Sequence, residues 1–122
     1  MQLGSIRIEV IAPKRRYASP NDQSVVLAVE AGARDLLLTG DVEEIAQEEL
    51  PDLKADILKV PHQGAATSDP EWLQAIGADI AVVSVGPNDF GHPSPEMIDA
   101  LRNGGARIRR TDLEGDVVVP LD

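Results

Sequence analysis

Three short motifs that carry aspartate or histidine each follow an apolar run, and this arrangement constrains the fold more than any other feature of the chain. The motifs are Thr39-Gly40-Asp41, the segment 60–64 (VPHQG) and the segment 91–95 (GHPSP), and they hold both histidines. Apolar runs bounded by turn residues are typical of buried strands. The pattern predicts that Asp41, His62 and His92 lie where strands give way to loops or helices, which is where functional side chains concentrate.

Strand patterns come first along the chain, and strand and helix patterns then alternate. Apolar periodicity predicts strands over 5–11, 24–30, 35–38, 55–60, 79–85, 107–110 and 116–119. Helices are expected over 41–50, from Pro70 with Asp69 as N-cap, and from Pro95 to the glycines at 104–105. The turn at 31–33 predicts a hairpin between the second and third strands. This order of elements indicates an α/β layered domain.

Composition narrows the classes of function. At 122 residues the chain can close one hydrophobic core, and we expect a single domain over 1–122. The absence of cysteine excludes thiol chemistry, zinc fingers and disulfides. Eleven basic and 21 acidic residues give a formal net charge of −10. Such a charge argues against non-specific nucleic-acid binding, because that binding depends on lysine and arginine neutralising phosphates.

The chain has no sequence feature of a membrane segment. No stretch is apolar over the roughly 20 residues that a spanning helix requires, and no signal-peptide pattern opens the sequence. Two basic clusters, at 14–16 and 107–110, are interpreted as solvated surface. We therefore expect a soluble domain without direct membrane contact.

Asp41 has two interpretations. The glycine before it permits a sharp turn that would project the carboxylate from a strand end, where it could bind a metal. Alternatively, Asp41 is the N-cap of the following helix, because Glu44 completes a capping-box spacing.

Each histidine also has two interpretations. His62 could ligate a metal, bind a phosphate oxygen or act as a general acid, or it could simply be hydrogen-bonded within the fold. His92 precedes a helix N-terminus, where an anion would be favoured, or it is a loop histidine bonded to backbone. Each signal is weak alone, and the ordered set with its flanking residues is stronger.

Together, Thr39-Gly40-Asp41, the segment 58–64 (LKVPHQG) and the segment 84–101 (SVGPNDFGHPSPEMIDAL) resemble one family. They are similar to the C-terminal part of the metallo-β-lactamase-like domain of ComEC-type competence proteins, which take up DNA. The segments 21–24 (NDQS) and 110–116 (RTDLEGD) resemble the same family, so the resemblance extends over nearly the whole chain.

The resemblance implies an αββα sandwich, of which this chain would form about the C-terminal half as a mixed sheet with helices on one face. It implies zinc- or manganese-dependent phosphodiesterase or nuclease activity in complete members. By resemblance, Asp41 and His62 would be metal ligands, and His62 and His92 would be the catalytic residues that contact phosphate. The resemblance further implies a domain of a bacterial inner-membrane protein that faces outside the cytoplasm.

The chain departs from the family pattern at the metal ligands. The family's His-x-His-x-Asp-His motif lies in an N-terminal half that this sequence does not contain. The family's Pro-His-His-Gly motif is represented by His62-Gln63, and Ala65 stands where serine is common. Catalytic zinc usually has three protein ligands, so we expect the chain to be inactive alone.

Three functional hypotheses follow. The chain is part of a metal-dependent hydrolase that acts on nucleic acid, or a metal-free scaffolding or binding module of the same fold, or an unrelated α/β domain in which Asp41 is only a cap. Under the first two hypotheses, the chain forms only about half of the αββα sandwich, so one face or edge of its sheet would be apolar and uncovered. We then expect the missing half or a second copy of the chain to bind there, and DNA to be reached through the full-length protein.

Overall fold

A computed structural model describes residues 1–121 as a mixed sheet with helices. Its strands are β1 (Gln2–Leu3), β2 (Ile6–Ala12), β3 (Val26–Ala31), β4 (Arg34–Leu38), β5 (Ile57–Lys59), β6 (Ile80–Val83) and β7 (Arg107–Arg110). Its helices are α1 (Glu44–Glu49), α2 (Pro70–Ile76), α3 (Pro95–Asn103) and α4 (Thr111–Glu114). The predicted α/β class is confirmed.

The strand order in the sheet follows the chain order from β1 to β7. Strands β1 to β4 pair antiparallel, which confirms the predicted hairpin of β3 and β4. Strands β4 to β7 pair parallel, and α1, α2 and α3 connect them in turn. Crossovers between parallel strands are almost always right-handed, so successive crossovers in one direction place these helices on the same face.

The core lies between the parallel strands and this helical layer. Leu37, Leu58 and Ala81 alternate with solvent-side residues and are at most 2% exposed. They form one cluster with Val42, which precedes α1, and with apolar side chains of the helices, namely Ala46, Leu73, Ile76, Met97, Ile98 and Leu101. Strand β5 is buried on both faces at Ile57 and Leu58, which are 5% and 0% exposed, and consecutive apolar positions are typical of such a strand.

The opposite face of the sheet is apolar and has no helix over it within residues 1–121. Strand register places Leu27, Leu38 and Val82 in one row across this face, with Lys59 between the last two. Val10 continues the row on β2 and is 65% exposed, and Leu38 is 38% exposed. Further apolar side chains on the same face are partly exposed, namely Ile6, Ile8, Val29 and Leu36, whereas Ile57 and Ile80 on this face are buried, both at 5%.

Two sequence predictions of secondary structure are wrong. The segment 116–119 is not a strand, because Gly115 with φ of +75° turns the chain away from the sheet edge after α4. The chain then reaches the start of β4, where Arg34 Nη1 donates a hydrogen bond to the Pro120 carbonyl at 3.0 Å. The first helix begins at Glu44 instead of residue 41, because Val42 N–H closes a turn on the Thr39 carbonyl.

Over residues 1–121, none of the helices combines the length and the apolar character that crossing a bilayer would need.

Candidate functional site

The three sequence motifs lie at the carboxyl ends of neighbouring parallel strands. The segment 39–41 follows β4, the segment 60–64 follows β5, and the segment 84–95 follows β6. Because these strands are adjacent and parallel, their loops emerge at one edge of the sheet, which we call the carboxyl edge. Ligands of open α/β sheets bind in crevices outside the carboxyl ends of the strands.

Main-chain hydrogen bonds hold the three loops together at the carboxyl edge. The His62 N–H donates to the Gly40 carbonyl at 3.0 Å, which joins the first loop to the second. The Ser94 N–H donates to the Gly64 carbonyl at 2.7 Å, which joins the second loop to the third. Each motif therefore fixes the backbone position of its neighbour.

The turn at Pro61–Gly64 has an unusual backbone. His62 (φ 49°, ψ 46°) and Gln63 (φ 57°, ψ 22°) both adopt the left-handed conformation, and Gly64 follows with φ of +78°. Such a conformation costs a non-glycine residue on the order of 1 kcal/mol or more, and it clusters at functional sites. A Cβ on Gly64 would lie 2.6 Å from Pro93 Cβ, so the close contact with the third loop requires glycine.

The carboxylate of Glu43 lies beside the imidazole ring of His62. His62 Nδ1 lies 3.4 Å from Glu43 Oε2, and both side chains are partly buried. The Nδ1 atom is itself buried and makes no hydrogen bond of good geometry, so Glu43 is its nearest acidic neighbour and not a hydrogen-bond partner. A carboxylate at Nδ1 favours the proton on that nitrogen, which leaves Nε2 to accept a proton or bind a ligand.

His92 lies beside His62 on the third loop. The two ring centroids are 5.5 Å apart with an interplanar angle of 58°. Asn88 fixes this loop, because its Oδ1 accepts the His92 N–H at 3.1 Å and its Nδ2 donates to the His92 carbonyl at 3.0 Å. The structure therefore brings the two predicted histidines into one pair.

Asp41 is not the N-cap of α1. The N-cap position is Glu43, whose side chain makes no capping bond. The buried carboxylate of Asp22 takes this role instead, accepting the N–H groups of Glu43 at 3.0 Å and Ala46 at 3.2 Å. The Asp41 side chain is exposed, and its own N–H donates to Ser24 Oγ at 3.0 Å.

Lys59, at the end of β5, is near enough to Asp41 for the two charges to interact. Its Nζ donates to the Val60 carbonyl at 3.0 Å. Burial lowers the pKa of Lys59, and the negative charge of Asp41 acts in the opposite direction. A cation close to Asp41 offsets part of the repulsion that a phosphate would meet from the site carboxylates.

The donor groups of this chain do not complete a metal site. Within residues 1–121, no three His, Asp or Glu side chains are grouped closely enough to hold a metal ion. Asp41 and His62, the predicted ligands, lie on adjoining loops, and Gln63 offers an amide where the family pattern has imidazole. These residues are too few for the usual ligand set of catalytic zinc, so no catalytic step through a metal follows from this chain alone.

Four residues of the site were not singled out from sequence. Glu43 and Lys59 carry no spacing signal, because each meets its partner through the fold and not through sequence proximity. Asp22 and Asn88 lie inside segments whose family resemblance is visible, namely 21–24 and 84–101. That resemblance was the only signal that could have identified them.

Comparison with known proteins identifies homologues over nearly the whole chain. The chain is 32% identical over 124 residues to ComE operon protein 3 of Bacillus subtilis (strain 168), which covers 96% of this chain and 16% of that protein. It is 33% identical over 122 residues to competence protein ComA of Neisseria gonorrhoeae, covering 93% of this chain and 18% of that protein. It is 31% identical over 119 residues to recombination protein 2 of Haemophilus influenzae, covering 93% and 15%.

The chain is therefore homologous to one segment of competence proteins and spans less than a fifth of their length. No protein-family model matches the chain.

Proposed function

We propose that the chain is one layer of a metallo-β-lactamase-type αββα domain in a DNA-uptake protein, and that the complete domain hydrolyses phosphodiester bonds of nucleic acid. The observation that carries the proposal is the pair of His62 and His92, 5.5 Å apart on loops bonded together at the carboxyl edge. The homology to competence proteins supports the role in DNA uptake. By resemblance, the domain would lie outside the cytoplasm as part of an inner-membrane protein.

The sheet face opposite the helices supports the second layer of the sandwich, because part of this face is apolar and exposed. Leu27, Leu38 and Val82 form a row on the face opposite the helices. Monomeric proteins rarely leave extended apolar surface in water, and two sheets pack face to face through such surfaces. The occupant we propose is a second sheet from the other half of the same domain.

In the assembled site, His62 and His92 contact the phosphate. Glu43 lies beside Nδ1 of His62, so Nε2 is the nitrogen that would either bind a metal or contact the phosphate. Asp41 and His62 would be this chain's ligands to zinc or manganese, and the remaining ligands would come from the second layer. This division of ligands is the reason that we expect the chain alone to be inactive.

Metal affinity of a hybrid domain tests the proposal. In the hybrid, this chain replaces the matched segment of ComE operon protein 3 and is fused to the region that immediately precedes it. We expect calorimetry to detect manganese or zinc binding in the hybrid but not in the isolated chain. Asp41→Ala should weaken binding, and Gln63→His should strengthen it by restoring an imidazole. A folded hybrid that binds no metal, with either residue at position 63, would refute the metal-dependent activity.

Gln63 favours one alternative function. Its exposed side chain replaces an imidazole in the Pro-His-His-Gly pattern, so a metal-free scaffolding or binding module of the same fold is the second candidate. Under this alternative, the hybrid folds and keeps its partner layer, and Gln63→His creates metal binding that the wild-type hybrid lacks.

A further inference from the structure

Phe90 is the most exposed large hydrophobic residue among those that the structure describes, at 82%. The chain has three aromatic residues, and the other two, Tyr17 and Trp72, pack against the core. Phe90 lies two residues before His92, at the carboxyl edge. A single exposed apolar residue needs no special explanation, so the argument depends on how this ring is held.

The loop holds Phe90 in a defined position. Asn88 Oδ1 accepts the N–H groups of both Phe90 and His92, at 3.0 and 3.1 Å. Asn88 Nδ2 donates to the carbonyls of Gly86 and His92, both at 3.0 Å. Four hydrogen bonds from one side chain therefore fix the backbone on both sides of Phe90. The backbone that carries the ring is therefore ordered before any ligand binds, which lowers the entropy cost of binding.

The aromatic ring extends the histidine pair into a row. Phe90 and His92 have ring centroids 5.6 Å apart and nearly parallel planes, at 21°. His92 in turn lies 5.5 Å from His62. The row begins at the proposed phosphate contacts and ends at an apolar ring that remains open to solvent.

We infer that Phe90 is the stacking surface for a nucleobase of a single-stranded nucleic acid whose phosphate lies at His62 and His92. This inference rests on the proposed function and adds the residue that contacts the base. Stacking on aromatic rings is how proteins bind single strands without reading sequence. A formal charge of −10 limits attraction to the phosphate backbone, so contact with the base contributes a larger share of the affinity.

Affinity for matched oligomers tests the inference. The probes are a decamer of thymidylate, an abasic decamer with the same number of phosphates, and thymidine 5′-monophosphate. Each is titrated at low salt and without added metal against the hybrid domain described above, and the substitutions below are made in that hybrid. We expect the thymidylate decamer to bind the wild type at least about fivefold more tightly than the abasic decamer, as one stacked base allows. Phe90→Leu, which keeps apolar bulk, should remove the difference, and Phe90→Tyr should restore it. Leu113→Ala, at an exposed site on α4, should leave it unchanged.

Three other outcomes would contradict the inference. Equal binding of the two decamers by the wild type, or a difference that Phe90→Leu retains, would overturn the stacking role while leaving the phosphate contacts intact. If thymidine 5′-monophosphate bound as tightly as the thymidylate decamer, the inference that the ligand is a single-stranded nucleic acid would be wrong. Absence of binding of every probe by the folded hybrid would overturn the stacking role and the phosphate contacts of His62 and His92. The metal-dependent activity is decided separately by the metal titration of the hybrid.

Discussion

Gly64 is the position at which the carboxyl edge tolerates a side chain least. Its φ is +78°, and a Cβ would approach Pro93 Cβ to 2.6 Å. We expect Gly64→Ala to destabilise the fold by about 1–3 kcal/mol, because the backbone is strained and the third loop must move. Urea unfolding measures this change.

Gly86 provides the matched control for Gly64. It belongs to the loop after β6, its φ is not in the left-handed region, and a Cβ would meet nothing within 4 Å. We expect Gly86→Ala to change the free energy of unfolding by no more than about 0.5 kcal/mol. Equal effects of the two substitutions would contradict the close packing of the second and third loops.

Glu43 is expected to select the tautomer of His62. Its carboxylate lies 3.4 Å from Nδ1, so the neutral ring should carry its proton on Nδ1. We expect Glu43→Leu to move the proton to Nε2 in part of the population, and Glu43→Gln, whose amide oxygen still accepts, to do so less. Long-range nitrogen–proton NMR correlations distinguish the tautomers. An unchanged tautomer in Glu43→Leu would show that Glu43 does not position the ring.

Helix α1 depends on a residue distant in sequence. Asp22 is 3% exposed and accepts the N–H groups of Glu43 and Ala46. We expect Asp22→Ala to cost about 1–2 kcal/mol in the free energy of unfolding, as loss of a helix cap does. Asp41→Ala is the control, and should change it by at most about 0.5 kcal/mol because Asp41 caps nothing. The reverse order of effects, measured by urea unfolding, would restore the N-cap interpretation of Asp41.

Apolar periodicity predicted that most of the helices and strands exist, but it predicted their first and last residues less accurately. Strands β2 to β7 and helices α1 to α3 fall within the predicted segments or within one residue of them, because each has a clear apolar face or run. The start of α1 was predicted three residues early, because the cap comes from Asp22 and not from the adjacent sequence. The valines at 117–119 suggested a strand, but the structure gives them no partner strand among residues 1–121.

The candidate site was predictable in outline for a topological reason. Each motif follows an apolar run that forms a strand. Motifs at the ends of successive strands lie close together when those strands are parallel neighbours in the sheet, as β4, β5 and β6 are. The sequence alone did not predict Glu43 beside His62, nor the left-handed backbone of His62 and Gln63. Those features depend on tertiary contacts, which override the local preference of these residues for other conformations.

The sheet face opposite the helices affects how the isolated chain associates in solution. Leu38 lies near the middle of this face and is 38% exposed. We expect the wild type to self-associate as its concentration rises in sedimentation velocity experiments, and Leu38→Glu to remain folded and monomeric because a charge opposes burial of this face. Leu113→Glu, at an exposed position on α4, should associate like the wild type. A wild type that stays monomeric over a wide concentration range would contradict the need for a covering layer.

Manganese-dependent cleavage of a single-stranded oligonucleotide by the hybrid domain tests the central claim most directly. If the loops at the carboxyl edge form half of a phosphodiesterase site, the hybrid cleaves the oligonucleotide, while the isolated chain and the His62→Ala hybrid do not. The Leu113→Ala hybrid should retain the activity. A folded hybrid without cleavage, or cleavage that His62→Ala leaves unchanged, would contradict the claim.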